Sequence, residues 1–147
     1  MNLKNIQQMW KDDCVIDDIE LDSSSLQQPQ LHSKYSELLS NKKLELIRYE
    51  RKMKELNKDK WLWYTGKMSK EDMEFNKWDY DPFDGLTVLK SDYDKFQGAD
   101  KDIQDLNEKI EYLKVTVDFL QDVVSQITWR HQTIKNIIEW RRFMAGS

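Results

Sequence analysis

From residue 103 to residue 141 the chain repeats a seam at alternating intervals of three and four: Ile103, Leu106, Ile110, Leu113, Val117, Leu120, Val124, Ile127, His131, Ile134, Ile138 and Arg141. Ten of these twelve positions are aliphatic, and only His131 and Arg141 break the rule. That spacing is the signature of a coiled-coil helix and fits neither a strand nor a loop. At about 1.5 Å per residue the run extends roughly 57 Å. A chain of 147 residues should struggle to cover such a stripe alone, so the pattern predicts self-association through this seam. Val115, Phe119 and Val123 add a second apolar row, and Ile137, Trp140 and Met144 carry apolar surface to the end. A seam this wide, rich in β-branched residues, favours more than two helices around the core.

A weaker seam precedes it. Tyr35, Leu39, Lys42, Leu46, Tyr49, Met53, Leu56, Lys60 and Trp63 follow the same steps with two lysines among nine positions, and Gly66 follows as a natural stop. This helix should begin near Pro29, after the turn-rich Ser23-Ser24-Ser25, with Ser25 and Gln28 at capping-box spacing. Leu3, Ile6 and Trp10 predict a short amphipathic helix over residues 2–11. Residues 67–99 show no helical period, and Leu86-Thr87-Val88-Leu89 is a candidate extended piece. Phe75, Trp78, Tyr80, Phe83, Tyr93 and Phe96 indicate that this connector packs. The expected fold is all-α: a short N-terminal helix, a long central helix, an irregular acidic connector with little strand, and a long C-terminal heptad helix forming a homo-oligomeric coiled-coil assembly. Its division is expected at residues 1–98, a helical region with connector, and 99–147, the oligomerisation helix, the two together forming one structural unit.

The net charge of −4 conceals a division along the chain: residues 34–67 carry ten Lys or Arg against five acids, and residues 68–102 carry five against ten. Such blocks point to a local anion site or to pairing between subunits. Glycine-rich phosphate loops, zinc-protease histidine pairs and nucleophile elbows are all missing, which argues against an enzyme and against a cofactor. The acid pairs Asp12-Asp13 and Asp17-Asp18 read as solvated turns, not metal ligands. Cys14, the only cysteine, reads as a small buried residue, and His131 as an interior or register-setting one. No apolar run is long enough to span a membrane, and the opening Met1-Asn2-Leu3-Lys4 is no signal peptide, so the expected location is cytosolic.

The informative stretch is residues 51–67. Arg51, Lys54, Lys58 and Trp61 share one helix face, and Lys60, Tyr64 and Lys67 form an adjoining stripe. Cations follow a phosphate backbone while aromatic faces accept unstacked bases, so the combination suits single-stranded nucleic acid. Lys60 belongs to the seam as well, and it cannot be both buried there and free to meet phosphate.

Three stretches carry a resemblance: Pro29-Gln30-Leu31-His32-Ser33-Lys34-Tyr35, Lys58-Asp59-Lys60-Trp61-Leu62-Trp63-Tyr64-Thr65-Gly66-Lys67, and Arg130-His131-Gln132-Thr133-Ile134-Lys135-Asn136-Ile137-Ile138-Glu139-Trp140. A fourth is Leu89-Lys90-Ser91-Asp92 with Ala99-Asp100-Lys101-Asp102. Over nearly its whole length the chain resembles the UvsY family of recombination mediators from T-even-like phages. The resemblance implies single-stranded DNA binding, help in loading a RecA-like phage recombinase onto DNA coated by single-strand DNA-binding protein, and no catalysis. It also implies a ring of six or seven subunits joined through the C-terminal helix, acting in the host bacterial cytoplasm. Lys58 and Lys60 match the family's DNA-contacting basic positions, while Trp63 and His131 stand where Tyr and Phe are more usual. The rival is a coiled-coil scaffold in which the charge blocks merely pair between subunits.

Overall fold

The computed structural model describes residues 1–83, 85 and 88–146. Six helices occur in order among them: α1 (Leu3–Asp13), α2 (Leu21–Leu26), α3 (Gln28–Tyr64), α4 (Lys70–Asn76), α5 (Tyr93–Ala99) and α6 (Lys101–Met144). No strand occurs among the described residues. Of the expected extended piece, Leu86 and Thr87 lie outside those residues, and Val88 is buried without pairing. No described helix is long and apolar enough to cross a membrane. The protein is all-helical, as the seams predict.

The chain divides into two compact units, Met1–Leu44 with Leu113–Ser147, and Glu45–Tyr112. Each long helix gives one end to each unit, because a 37-residue and a 44-residue helix outrun the core of either.

In the first unit, Ile6 of α1, Tyr35 of α3 and Leu120, Val123 and Ile127 of α6 form the core, with Trp10 edge-on to Tyr35 at 5.3 Å. Each such side chain contributes roughly 1.5 to 3 kcal/mol through removal from water. Asn2 caps α1 by accepting the Asn5 N–H at 2.9 Å. Asp13 is no idle surface acid: it takes the Tyr35 hydroxyl at 2.8 Å and the Lys34 ammonium at 2.7 Å. Asp17 likewise accepts the Ile19 and Glu20 amides.

Several local expectations change. Ser23-Ser24-Ser25 is not a turn but lies in α2, where the buried Ser24 hydroxyl accepts the Asp17 N–H at 3.0 Å. Gln28 does not close a capping box; its amide donates to the Ile127 carbonyl and accepts from Arg130, both at 2.7 Å. Cys14 is exposed, not buried.

The seam of α6 keeps its seven-residue rungs Leu113, Leu120, Ile127 and Ile134, all buried. Its second row differs: beyond Val117 the buried companions are Val123 and Arg130, three residues on, while Val124 is half-buried and His131 and Ile138 are exposed. His131 and Arg141 are thus surface residues, not flaws in a packed layer. The reason is tertiary. Arg130 turns inward because four oxygens converge there: the carbonyls of Cys14 (3.5 Å), Val15 (2.7 Å) and Ser24 (3.3 Å) and the side chain of Gln28 (2.7 Å).

The single chain also covers most of the seam despite its length. Ile103, Ile110, Leu113, Val117, Leu120, Ile127 and Ile134 are buried within the single chain, so these positions do not need a second copy to cover them. Leu106 and Val124 are half-buried, and Ile138 alone of the ten remains exposed.

Candidate nucleic-acid interface

The site begins at the last turns of α3 in the second unit. Gly66, at φ +72°, ends the helix: its N–H reaches the Trp63 carbonyl at 3.2 Å, and the Lys67 N–H reaches Leu62 at 2.8 Å. This paired termination needs the left-handed conformation that glycine adopts without strain. Nothing crowds a Cβ placed there, so Gly66→Ala tests the backbone alone. It should lower stability by about 1 kcal/mol, read as a shift in the thermal midpoint.

That turn sends Lys67 back over the helix, where its ammonium sits 4.4 Å from the centroid of the Trp61 ring. Trp61 is half-buried and presents part of its ring. Upstream on the same face, Arg51, Lys54 and Lys58 are exposed, and none forms an ion pair among the described residues. Arg48, three residues before Arg51, is also exposed and unpaired and adds a turn to the row. Sequence reasoning stopped at Arg51, although the same spacing led on to Arg48. From Arg48 to Trp61 the row spans roughly 20 Å of helix.

Lys60 and Tyr64 do not join Lys67 in a surface stripe. The Lys60 side chain is 3% exposed, with its ammonium 3.1 Å from Asp100 and 2.8 Å from Asp102. Two indoles wall it in, Trp63 at 4.6 Å and Trp78 at 4.1 Å to the ring centroids. Tyr64 is buried and donates its hydroxyl to Asp100 at 2.6 Å. The seam reading of Lys60 therefore prevails over the surface reading. A long aliphatic stem can be buried where its charged head finds partners.

Asp100 is the centre of this arrangement. Its other oxygen accepts the Ile103 N–H at 3.1 Å, capping α6, where the helix N-terminus favours an anion. Burial disfavours its charge, but the hydrogen bonds from Tyr64 and Ile103 and the Lys60 ammonium outweigh it and hold the carboxyl below its ordinary range. Burial, and then the bond to Asp100, hold the Tyr64 hydroxyl well above its usual value. The phenol stays protonated and keeps donating.

The connector closes around the same point. Trp78 lies 5.3 Å from Trp63, and Phe83, Tyr93 and Phe96 surround Tyr64 at 5.4 to 6.1 Å. Trp63 donates its indole N–H to the Asp79 carbonyl at 2.9 Å. From α5, Tyr93 and Gln97 bond to Asn57, the residue before Lys58, at 3.2 and 2.8 Å. Phe75, 88% exposed, and Tyr80, 54% exposed, depart from the expectation that these aromatics pack. No group of three or more metal-ligating side chains occurs among the described residues.

A helix face that offers unpaired cations beside a partly open indole matches the chemistry of single-stranded nucleic acid. The Recombination protein uvsY of Enterobacteria phage T4 is 27% identical over 146 residues, covering 99% of both chains. A crystal structure of the bacteriophage T4 recombination mediator protein UvsY superposes with a TM-score of 0.83 at 26% identity, over 99% of this chain and 98% of that one. A second crystal form gives 0.83 at 25% identity, over 97% and 99%. Residues 9–147 match the family described as recombination, repair and ssDNA binding protein UvsY, and the chain belongs to that family.

Proposed function

We propose that this protein is a recombination mediator that binds single-stranded DNA along Arg48, Arg51, Lys54, Lys58, Trp61 and Lys67. In this role it promotes loading of a RecA-like phage recombinase onto DNA already coated by single-strand DNA-binding protein, in the host bacterial cytoplasm. The observation that carries the reading is the row of exposed, unpaired cations on α3. Each subunit supplies only a few phosphate contacts, so tight binding requires several copies acting on one strand. The surface for that assembly is the exposed face at the end of α6, where Trp129, Trp140, Phe143 and Met144 stand in solvent and Trp140 stacks on Phe143 at 5.8 Å. Trp129 and Trp140 are eleven residues apart, close to three turns, and so share that face.

Titration of labelled single-stranded DNA across salt tests the reading. Affinity should fall as salt rises, and Lys58→Ala should flatten the log–log slope by about 0.7 for each subunit engaged. Because Lys58 is exposed, its removal should leave the fold and the assembly mass unchanged. A protein that binds no single-stranded DNA at low salt is instead the scaffold of the rival reading.

A further inference from the structure

Lys60 is the cation of this segment that cannot reach a strand as the molecule stands, and its surroundings give it other work. To meet a phosphate, its ammonium would have to leave two carboxylates, at 3.1 and 2.8 Å, and the indole faces of Trp63 and Trp78. Asp100 could not follow it out. That carboxylate is held by the Tyr64 hydroxyl at 2.6 Å and by the first turn of α6 through the Ile103 N–H at 3.1 Å. The ammonium is what allows two acids, two residues apart, to sit against this aromatic wall. Without it Asp100 and Asp102 repel, and the buried one has lost the cation it pairs with.

We propose that Lys60 is a positioning residue for the DNA-binding row: its ammonium pins the start of α6 to the last turns of α3 and thereby fixes Lys58 and Trp61 in their outward setting. The consequence for Lys58 is geometric. α5 ends at Ala99, immediately before Asp100, and reaches Asn57 through both Tyr93 and Gln97. Loosening of Asp100 is passed through α5 to Asn57, which neighbours Lys58. Trp63, one wall of the cage, lies on the helical turn that carries Trp61. Lys60 therefore acts on DNA through its neighbours, and the inference rests on the single-stranded DNA binding proposed above.

A carboxylate substitution separates positioning from contact, because the two assign opposite signs to it. Were Lys60 a phosphate contact masked by its acids, Asp100→Asn would remove a negative charge, release the lysine and tighten binding. As a pin, Asp100→Asn weakens binding even though the protein has become more positive. Asparagine still accepts the Ile103 N–H as a helix cap, so the substitution removes the charge and spares the cap.

The experiment measures DNA affinity, its salt slope and the near-ultraviolet circular dichroism of the tryptophans for full-length wild type, Asp100→Asn, Lys60→Met and Lys58→Ala. Expected are affinity losses of about threefold to thirtyfold for Asp100→Asn and Lys60→Met, the range through which residues away from a ligand modulate its binding. Their salt slopes should match wild type, whereas Lys58→Ala alone flattens it. Both pin variants should also lose near-ultraviolet signal in the absence of DNA, as Trp63 and Trp78 come free. Tighter binding by Asp100→Asn, or a slope flattened by Lys60→Met as much as by Lys58→Ala, overturns the proposal. If Lys60→Met does not fold, Asp100→Asn decides by sign. A wild-type protein without DNA affinity overturns the function proposed above and the positioning role with it; an unchanged near-ultraviolet signal in both variants overturns the pin alone.

Discussion

Arg130→Met is expected to destabilise the first unit by about 3 kcal/mol or more, since hydrogen bonds to a charged donor contribute roughly 1.5 to 3 kcal/mol each and several are lost together. Arg130 is 6% exposed and has no carboxylate partner among the described residues, and its guanidinium binds three main-chain carbonyls and Gln28. Burial accordingly draws its pKa below the ordinary arginine value. Methionine keeps the apolar stem and removes the fork, leaving the carbonyls of Val15 and Ser24 without their donor. The segment from Cys14 through α2 has little else to hold it: a six-residue helix whose side chains include only two buried ones. Lysine at this position keeps the charge but cannot span the separated acceptors, so Arg130→Lys should fall between. His131→Ala, one residue on and exposed, should stay within about 0.5 kcal/mol of wild type. Chemical denaturation followed by circular dichroism reads all three, and equal costs at 130 and 131 would sink the argument.

The same pair of residues shows what could be read from the sequence and what could not. Helical spacing of Leu3, Ile6 and Trp10 located α1, and heptad spacing located α3 and α6, because a long helix with one buried face leaves a period that survives occasional polar positions. It could not decide which neighbour of Leu120 and Ile127 completes the buried row. Val124 and His131 stand in the three-and-four spacing and Arg130 does not, and the oxygens that draw Arg130 inward come from residues more than a hundred positions away. Lys60 was ambiguous for the same reason: its deciding partner, Asp100, is forty residues on. Helices of seven residues, α4 and α5, are too short to display a period. For α4 a local signal did exist in Ser69 and Asp72, whose hydroxyl and amide form the N-terminal cap at 3.2 Å. The cationic face of Arg51, Lys54 and Lys58 was legible because exposure is what a charged residue on a helix does by default. Tyr64 was not, since a tyrosine goes inside whenever its hydroxyl has a partner.

Trp140→Asp combined with Phe143→Asp is expected to yield a folded, smaller species that has lost tight binding to single-stranded DNA. Both rings are mostly exposed, at 62% and 71%, so a charge at either costs the single chain little. On the assembly surface proposed for the end of α6, the same two charges would be desolvated without partners, which associating subunits cannot tolerate. Neither residue belongs to the cationic row of α3, and the intrinsic contacts of each subunit with a strand remain. What disappears is the effective concentration that one bound subunit gives its neighbours, and overall affinity should fall by about a hundredfold to ten-thousandfold. Leu120→Asp is the necessary contrast. Its heptad position marks it as an intersubunit residue, but it is 0% exposed in the core of the first unit, so the aspartate should unfold that unit instead of dissociating it. Light scattering for mass, circular dichroism for helix content and a DNA titration on each variant distinguish the two outcomes. Were the double aspartate variant to keep the wild-type mass, the assembly surface would lie elsewhere on the chain. Were it monomeric with full DNA affinity, multivalency would not be the source of tight binding.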